Sequence, residues 1–534
     1  MTPPAVAEGA PEGSTATRSS DLAERENVTL RQWIAVFGAI AGSFVAVLNI
    51  QITNASLREI QGALSATLTE ASWITTAYVA SSLVSMPLTG WFVRVFSVRT
   101  YVVWNMALFM ISVVGCALAW DLEAMIGMRF VSGFFGGALI PMSMYIVLIT
   151  LPVAKRPVAF MFWGIAIALA PSMGPALGGW LTEEFSWTLV FYVQLIPSAF
   201  VLVALLICLD PSPRQLALLR RVNWLSIMFM ATGLLLLIIV LEEGNRNDWF
   251  ESQFITRLTM ISALLLTVFL LVQLFHRDPY INLRLYARRD FLMCCIVAAA
   301  FGVGVFGAQF TIALYLIQVP QYTAGQVGTV LMWIGFPQFV SGLLVLWLIP
   351  RVDNRMLMGF GCALFAASCF LNIGMSYDTG YWDLMVINVI RGFGQPFIMV
   401  VVAAVATAAM EASNQGSAAA LINWTRDLAG AIAIASLKTG IVRRSEFHAD
   451  HVSEHVSSAD PETASRLELL TQRFLDYTGD LQQARDQAVA ALNTLVERES
   501  LIMAYNDMFY GIGVVFVIAT LACFLIRRPA RRGG

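Results

Sequence analysis

Fourteen apolar runs, each about as long as a helix that crosses a bilayer, dominate this chain of 534 residues. A spanning helix needs roughly 20 residues, because each residue adds about 1.5 Å. Charged residues make up 13% of the sequence, about half the share usual in soluble domains. The sequence therefore predicts an all-α polytopic membrane protein. The predicted spans, numbered one to fourteen along the chain, lie to within several residues at 33–53, 72–92, 98–118, 124–150, 157–180, 188–209, 224–242, 254–275, 291–316, 325–349, 355–375, 382–408, 416–440 and 502–526.

Basic residues in the short loops predict how these spans are oriented. With the N-terminus in the cytosol, the inner short loops hold thirteen Lys and Arg and the outer short loops hold three. Such an excess marks cytosolic loops, although Arg443 and Arg444 run against the trend. We therefore expect both termini in the cytosol. Residues 1–30, rich in Pro, Gly, Ser, Thr and Glu, are expected to form a disordered cytosolic tail without a removable signal peptide.

Span five, within Pro157–Leu181, combines two prolines with a ridge of small side chains. Pro171 and Pro175 each remove one backbone hydrogen bond and bend a helix. Small residues at every fourth position, from Ala166 to Gly178, form a smooth face that another helix can approach closely. The pattern favours a hinge on which two halves of the protein rock over a helix that only packs tightly. The residues assigned to this hinge are Ala170, Pro171, Gly174, Pro175, Gly178 and Gly179.

Two arginines indicate an internal duplication. Arg129 in span four begins the glycine-rich stretch RFVSGFFGGA, and Arg391 in span twelve begins RGFGQP. If spans one to six and nine to fourteen are copies of one unit, both arginines lie on its fourth helix. Such duplication is typical of secondary transporters. The expected domains are an N-terminal six-helix bundle (31–210), two inserted helices with their loops (211–290) and a C-terminal six-helix bundle (291–534).

Residues 441–500 differ in kind, because they are polar and charged, with apolar residues at three- and four-residue steps. The pattern predicts amphipathic helices, which the topology places outside the cytosol as an extracytoplasmic loop. This loop could dock a periplasmic partner or form a solvated hairpin over the outer mouth. His448, His451 and His455 share one helical face, which suits a solvated surface better than a zinc site, so no metal site is predicted.

Six stretches, met in order along the chain, resemble one known family. They are SWITTAY (72–78), GWFVRVFSVR (90–99), Arg129 with Gly133, APSMGPALGGWL (170–181), LEEGNRNDWFES (241–252) and NWTRDLAGAIA (423–433). In these motifs the chain resembles the fourteen-span drug:proton antiporters of the major facilitator superfamily, particularly the EmrB type of Gram-negative inner membranes. The resemblance implies a major facilitator fold, with two six-helix bundles plus two extra helices, 14 transmembrane helices in all.

The same resemblance implies a function. The expected activity is proton-coupled export of hydrophobic or amphipathic toxic compounds across the cell inner membrane, with the proton gradient as energy source and no cofactor. The implied partners are the lipid bilayer, a small-molecule substrate and, for this type, a periplasmic adaptor protein with an outer-membrane channel. Gly90, Arg94 and Arg99 would form a cytosolic latch for the outward-open state. The two arginines could also serve only as topology anchors.

The chain departs from the family pattern at four positions. The family usually has an acid in span one, where this sequence reads LNIQI and has Asn49. An amide does not take up a proton at physiological pH, so the role of that carboxylate is vacant. Ser97, Ser132 and Thr188 stand where the family usually has glycine, glutamine and arginine.

Ionisable side chains within the spans are functional candidates, because a charge inside a bilayer is costly unless it is paired. Asp427 in span thirteen is the carboxylate well inside a span, and with Asn49 neutral it is the candidate proton carrier. Arg129, Arg426 and Asn49 complete the predicted coupling group. Arg426 and Asp427 point about 100° apart on a helix and need not pair. In the competing interpretation Asp427 only neutralises Arg391 or Arg426, and Arg129 only binds backbone carbonyls.

The substrate path is expected to be a mostly apolar cavity between the bundles, with a few polar groups. Its candidate residues are Gln51, Tyr78, Trp163, Gln309, Gln318, Gln338, Gln395 and Trp424. A nearly uncharged cavity suits bulky amphipathic or aromatic compounds and argues against sugar phosphates or dicarboxylates. The basic residues form no basic domain, which argues against nucleic acid as a partner.

Two other functions stay open at this point. The protein could export one dedicated metabolite, such as a siderophore, a phenolic acid or an antibiotic. It could also be a non-transporting membrane sensor or scaffold, which the loss of the span-one acid favours. A membrane enzyme is least favoured, because no nucleophile–base pair or metal-ligand cluster lies within a predicted span.

Overall fold

The computed structural model describes residues 28–210, 214–276, 279–408, 410, 414–456 and 460–526, so nearly all of the predicted 1–30 tail lies outside the described residues. Within them the chain is built of helices, and no β-strand occurs. The spanning helices are Leu30–Ala55, Leu68–Phe96, Val98–Ala117, Leu122–Thr150, Arg156–Glu184, Leu189–Cys208, Trp224–Glu243, Gln253–Phe275, Arg289–Gln318, Ala324–Leu348, Asn354–Gly374, Tyr381–Ala408, Gln415–His455 and Leu481–Phe524.

Counted over the described residues, thirteen of these helices are long and apolar enough to cross a membrane. The remaining one is span thirteen, whose membrane portion includes the polar residues Asn423, Arg426 and Asp427. These residues lower its mean hydropathy, yet the helix packs among the others. The all-α polytopic fold predicted from the sequence is confirmed, and the chain is a multi-pass membrane protein.

Several spans are not single regular helices. Span six breaks near Gln194, span ten breaks near Gly335, and span eleven closes in a 3₁₀ turn. Span nine contains a π-helical turn, a local widening that often marks functional sites. Its three parts are Arg289–Gly302, the π turn Val303–Ala308 and Gln309–Gln318, and short helices outside the spans lie at Leu57–Ala63, Leu218–Arg221 and Pro461–Thr478.

Threonine caps start three of the spans. At span two the Thr67 hydroxyl accepts a hydrogen bond from the Glu70 backbone N–H, and the Glu70 carboxylate accepts one from the Thr67 N–H at 2.9 Å. The same reciprocal arrangement begins spans one and ten, where glutamine replaces glutamate. Each cap satisfies donors that a helix start leaves unpaired and contributes about 1 kcal/mol.

The helices pack in the arrangement expected of two bundles. Span one packs against spans four, five and six, and span two packs against span four. In the second half, span eleven packs against spans twelve and fourteen, and span thirteen against spans nine and fourteen. The inserted spans seven and eight pack on each other, and span seven also contacts spans two and thirteen. The domain boundaries at residues 210 and 290 stay a prediction.

Spans thirteen and fourteen continue beyond the bundles as helices up to His455 and from Leu481. We call this end of the molecule the hairpin face, and the opposite end, where span one begins, the terminal face. In the chain between these two extensions, the helix Pro461–Thr478 packs against the helix Leu481–Phe524. At the base of the hairpin Asp507 accepts hydrogen bonds from Arg444 at 2.6 Å and from His448 at 2.8 Å.

Candidate functional site

Two adjoining chambers lie between the bundles. The span-two chamber, about 410 Å³, has walls from spans one, two, four, seven, nine and thirteen. The span-ten chamber, about 500 Å³, has walls from spans one, five, nine, ten and thirteen and from the loop after span nine. Both are mainly apolar, as a small-molecule site commonly is. The side chains that line both chambers are Gln51, Asn54, Phe306, Phe310 and Ile434.

The bundles meet closely near the terminal face, and toward the hairpin face spans five and ten stay in contact beside the chambers. A Cβ placed on Gly90 would lie 3.2 Å from the backbone of Gly416 and Ser417 on span thirteen. A Cβ on Gly164 of span five would lie 3.2 Å from Val400 of span twelve. The chambers lie on the other side of this closure, where their walls are the hairpin-face ends of spans one, two, seven and thirteen.

Span thirteen presents one stripe of residues to the span-two chamber. Asp427 lies at its deep end and Lys438 at its mouth, with Gly430, Ala431, Ile434 and Ala435 between them. Three and four residues separate neighbours on one helical face, so the stripe is continuous. Asp427 is therefore a wall residue of the chamber, on the same face as Lys438 three turns away.

Asp427 forms an ion pair with the adjacent Arg426, whose Nε lies 2.6 Å from the carboxylate. Sequence spacing suggested that the two side chains need not pair, and the structure places them together. Arg426 is 1% exposed and Asp427 13% exposed, and both Nη atoms of Arg426 lack hydrogen-bond partners among the described residues. A proton taken up by Asp427 would remove the counter-charge of a buried guanidinium, which strongly favours rearrangement.

Arg129 lies in a separate polar cluster behind the chamber wall. Its Nη1 donates a hydrogen bond to Asn49, its Nε donates to the Ile74 carbonyl at 3.2 Å, and its guanidinium lies 4.5 Å from the centroid of the Tyr78 ring. Asn49 in turn donates to Gln194 at 2.8 Å. The amide that replaces the family acid is thus held between the Arg129 guanidinium and the neutral Gln194, and among the described residues no carboxylate pairs with Arg129.

The small-residue ridge of span five faces its own bundle. Gly174 lies against Gln51, and a Cβ on Gly178 would lie 2.6 Å from the Ile52 carbonyl, so the ridge packs on span one of its own bundle. The neighbouring face meets span ten, where a Cβ on Gly179 would lie 2.9 Å from the Gly325 nitrogen. Periodicity defines a face of a helix but does not specify the helix that covers it.

The other predicted hinge residues lie in two different environments. Ala170 is buried within the bundle, while Pro171 and Pro175 line the span-ten chamber. Span five is one unbroken helix through both prolines. Whether it acts as a hinge stays a prediction.

Three of the predicted cavity residues line the chambers, namely Gln51, Tyr78 and Gln309. The others do not line either of these two chambers. Trp163 is fully buried and donates to Ser143 at 2.9 Å, Gln318 accepts from Tyr505 at 2.5 Å, and Gln338 donates to Gln395 at 3.0 Å. Trp424 packs between spans two and seven. Trp163, Gln318 and Gln338 thus find hydrogen-bond partners inside their own bundle.

Sequence reasoning missed the contribution of span seven. Glu242 and Lys438 form an ion pair of 2.7 Å at the mouth of the span-two chamber. Just beyond, the Trp249 indole donates to Thr439 at 2.9 Å. Ile238 packs with spans two and thirteen, so an inserted helix closes the side of the chamber. The motif LEEGNRNDWFES contains Glu242 and Trp249, but its spacing gives no sign of which helix they meet.

The predicted latch residues lie at or near the closed end. Gly90 permits the close approach to span thirteen described above, and Arg94 lines a polar cavity of about 650 Å³ with Arg284 and Arg288. Arg99 lies at the start of span three. Ser97, which separates spans two and three, has a φ of 73°. This conformation suits the glycine usual in the family.

Comparison with known proteins agrees with this architecture. A family model described as Major Facilitator Superfamily matches residues 39–434. The colistin resistance protein EmrB of Acinetobacter baumannii is 28% identical, over 92% of this chain and 96% of that protein. The multidrug export protein EmrB of Escherichia coli is 25% identical, over 92% and 94%.

Two solved structures share the fold at low sequence identity. The human organic anion transporter MFSD10 superposes with a TM-score of 0.58, 13% identity and coverage of 93% of this chain and 99% of that one. The proton:xylose symporter XylE superposes with a TM-score of 0.60, 12% identity and coverage of 93% and 96%. With the family model matched across most of the spans, the chain belongs to the major facilitator superfamily.

Proposed function

We propose that this protein is a secondary active transporter that exports hydrophobic and amphipathic toxic compounds in exchange for protons. The observation on which the proposal rests is the pair of mainly apolar chambers, closed near the terminal face, with Asp427 in the wall of the span-two chamber. A compound of several fused rings fits chambers of this size. The relatives named for colistin resistance and multidrug export support the same substrate class.

Asp427 is the proposed proton-binding group. It faces the span-two chamber, so protons and substrate can reach it by the same route. It also neutralises Arg426, so its protonation changes the charge balance between the bundles. Coupling then follows if the bundles close around the chamber only when this carboxylate is neutral, because a buried unpaired charge is costly.

Everted membrane vesicles with an acidic lumen test this function. The amphipathic dye Hoechst 33342 should enter the lumen in a protein-dependent manner, and nigericin, which collapses the pH gradient, should abolish uptake. Vesicles without the protein are the control. Uptake that persists without the gradient would refute proton exchange. No uptake of any amphipathic dye would favour a dedicated exporter or a sensor.

We further propose that the protein lies in the inner membrane with both termini in the cytosol, because of the basic bias of the loops. The hairpin then projects into the periplasm, where it would contact an adaptor protein leading to an outer-membrane channel. Tyr477 at its tip is 85% exposed and Leu469 is 66% exposed. Pull-down from membranes should recover an adaptor with the native hairpin and lose it with Leu469→Glu. Equal recovery by both would refute the contact.

A further inference from the structure

Gln309 stands apart among the polar side chains of the chambers. It lines the span-ten chamber although it is only 4% exposed. Among the described residues neither its Oε1 nor its Nε2 has a hydrogen-bond partner. A buried amide without partners costs about 1–3 kcal/mol for each unsatisfied group. Both amide atoms are covered in this conformation, so a molecule in the chamber that offered both a donor and an acceptor would remove this cost once the side chain turned toward it.

The position of Gln309 follows from the π turn that precedes it. A π turn holds one extra residue, so the side chains after it are rotated by about 100° relative to a regular helix. The turn lies where span nine is pressed from two sides. Gly302 contacts the Arg426 carbonyl of span thirteen, and Gly304 contacts the Phe516 ring of span fourteen, closely enough to leave no room for a Cβ. Gln309 is the first residue after this turn.

Two aromatic rings lie next to this amide. Phe306, in the π turn, and Phe310, directly after Gln309, line both chambers. The Phe306 ring packs against Gly430, which has no side chain to displace it. Gly430 is one helical turn from Asp427 on the same stripe. A flat ring held between the phenylalanines would therefore lie beside the proposed proton-binding carboxylate, in the offset or edge-to-face contacts that aromatic groups prefer.

The chemistry of the amide selects the polar group of the ligand. A carboxylate can use only the NH₂ donors of Gln309, and an ammonium group can use only its oxygen. Either would leave the other half of the amide unpaired. A neutral group with an N–H beside a C=O satisfies both halves at once. Lactams fused to aromatic rings have this edge together with a flat apolar body.

We propose that Gln309, Phe306 and Phe310 form a recognition subsite for neutral, planar aromatic lactams and cyclic amides. This inference rests on the proposed function, because it takes the chambers as the substrate path, and it names the compounds that bind best there. The phenylalanines supply affinity for the flat ring, and Gln309 distinguishes the compounds that have the paired N–H and C=O.

Binding of two matched probes to the purified full-length protein in nanodiscs tests the subsite. Phenanthridinone has the N–H beside the C=O, and N-methylphenanthridinone lacks only the donor. We expect the unmethylated lactam to bind about tenfold more tightly, since one buried group left unpaired costs about 1–3 kcal/mol, a factor of about 5 to 150. Gln309→Met should bring the two affinities within about twofold of each other. Its melting temperature should not fall, because Met removes an unsatisfied polar group without leaving a cavity.

Gln338→Met is the matched control, because Gln338 is a fully buried glutamine of the next span that bonds Gln395 away from the chambers. It should retain the preference for the lactam. An unchanged preference in Gln309→Met, equal affinity of the wild type for both probes, or binding of neither probe would overturn the subsite. The assay needs no pH gradient, so lactam selectivity without gradient-driven dye uptake would refute proton-coupled export and leave the subsite standing. Dye uptake without lactam selectivity would refute the subsite and leave proton-coupled export standing.

Discussion

Arg129 and Arg391 occupy corresponding helices of the two halves, yet their surroundings differ. Both are fully buried, and each has one Nη without a hydrogen-bond partner among the described residues. Arg129 holds Tyr78, whose ring is part of the chamber wall. Arg391 is enclosed by Ser368, Asn388 and phenylalanine rings and reaches no chamber residue. The arginine of the fourth helix therefore supports a chamber wall in the first half, whereas its counterpart in the second half packs in the bundle core.

The carboxylates sharpen this contrast. The first half has the neutral Asn49 beside its arginine, whereas span thirteen in the second half has Asp427 beside Arg426. Glu59, Glu183 and Glu242 also line the chambers, but none of them is paired with a buried arginine inside a span as Asp427 is. The two halves share an architecture, but among the described residues the carboxylate paired with a buried arginine in a chamber wall lies in the second half.

Asp427→Asn should have the largest effect. The amide retains the shape of the side chain but cannot bind a proton, so gradient-driven uptake of Hoechst 33342 should fall to the rate seen after nigericin. Binding of the dye without a gradient should persist. Asp507→Asn, which alters a carboxylate at the base of the hairpin, is the matched control and should keep its response to the gradient. Gradient-driven uptake by Asp427→Asn would exclude this residue as the proton carrier.

Arg129→Met and Arg391→Met test the contrast between the repeated arginines directly. Arg129→Met removes the cation–π contact with Tyr78 and the bond to Asn49, together about 1–3 kcal/mol of wall stabilisation, and should reduce dye uptake about tenfold. Arg391→Met should change uptake per folded molecule by less than about threefold. Uptake rates in vesicles, normalised to protein that is monodisperse after extraction, distinguish them. Equal losses would mean that the two arginines have equivalent roles.

Asn49→Asp would make the first half resemble the second. The carboxylate would accept the existing bond from Arg129 with a full charge, and the Gln194 amide, which now accepts from Asn49, would turn to donate to it, so the free energy of unfolding should rise by about 1 kcal/mol. Thermal unfolding in detergent measures this gain. In Arg129→Met/Asn49→Asp the same carboxylate lacks its partner and should destabilise the protein. Stabilisation of both variants would contradict the pairing.

Ser97→Gly should have the smallest effect, a small gain in stability from a strained residue that the first half has and the second half lacks. Ser97 has a φ of 73°, whereas in the corresponding loop between spans ten and eleven Asp353 has a φ of −61° and caps the next helix. Relief of that strain should stabilise the protein by about 1 kcal/mol. Ser97→Ala retains a Cβ and should give no gain in melting temperature. Equal melting temperatures of the glycine and alanine variants would show that the loop is unstrained.

Much of the fold could be predicted from hydropathy alone, because each span must satisfy its backbone hydrogen bonds internally. Span seven was predicted at 224–242 and lies at Trp224–Glu243. The end of span thirteen was placed at residue 440, whereas the helix continues to His455. That extension is polar, so hydropathy gives no signal for it. Its helix packs against the helix of span fourteen, which also continues beyond the bundles.

The site was less predictable, because it depends on which helices become neighbours. Asp427 could be found from its charge within a span. The glycines around the π turn of span nine gave no sign that Gln309 would face a chamber while Gln338 would face Gln395. Span seven, treated as an insertion, proved to form a chamber wall through Glu242. Such pairings arise from tertiary packing.

The helices of spans thirteen and fourteen leave the bundles without a break, which has a mechanical consequence. About 20 residues of Leu481–Phe524 precede its membrane portion, a rigid arm of roughly 30 Å. If this span tilts by about 10° during the transport cycle, the tip of the arm swings by about 5 Å. Any protein resting on that tip would receive a displacement as large as a side chain, timed to the cycle of the chambers below.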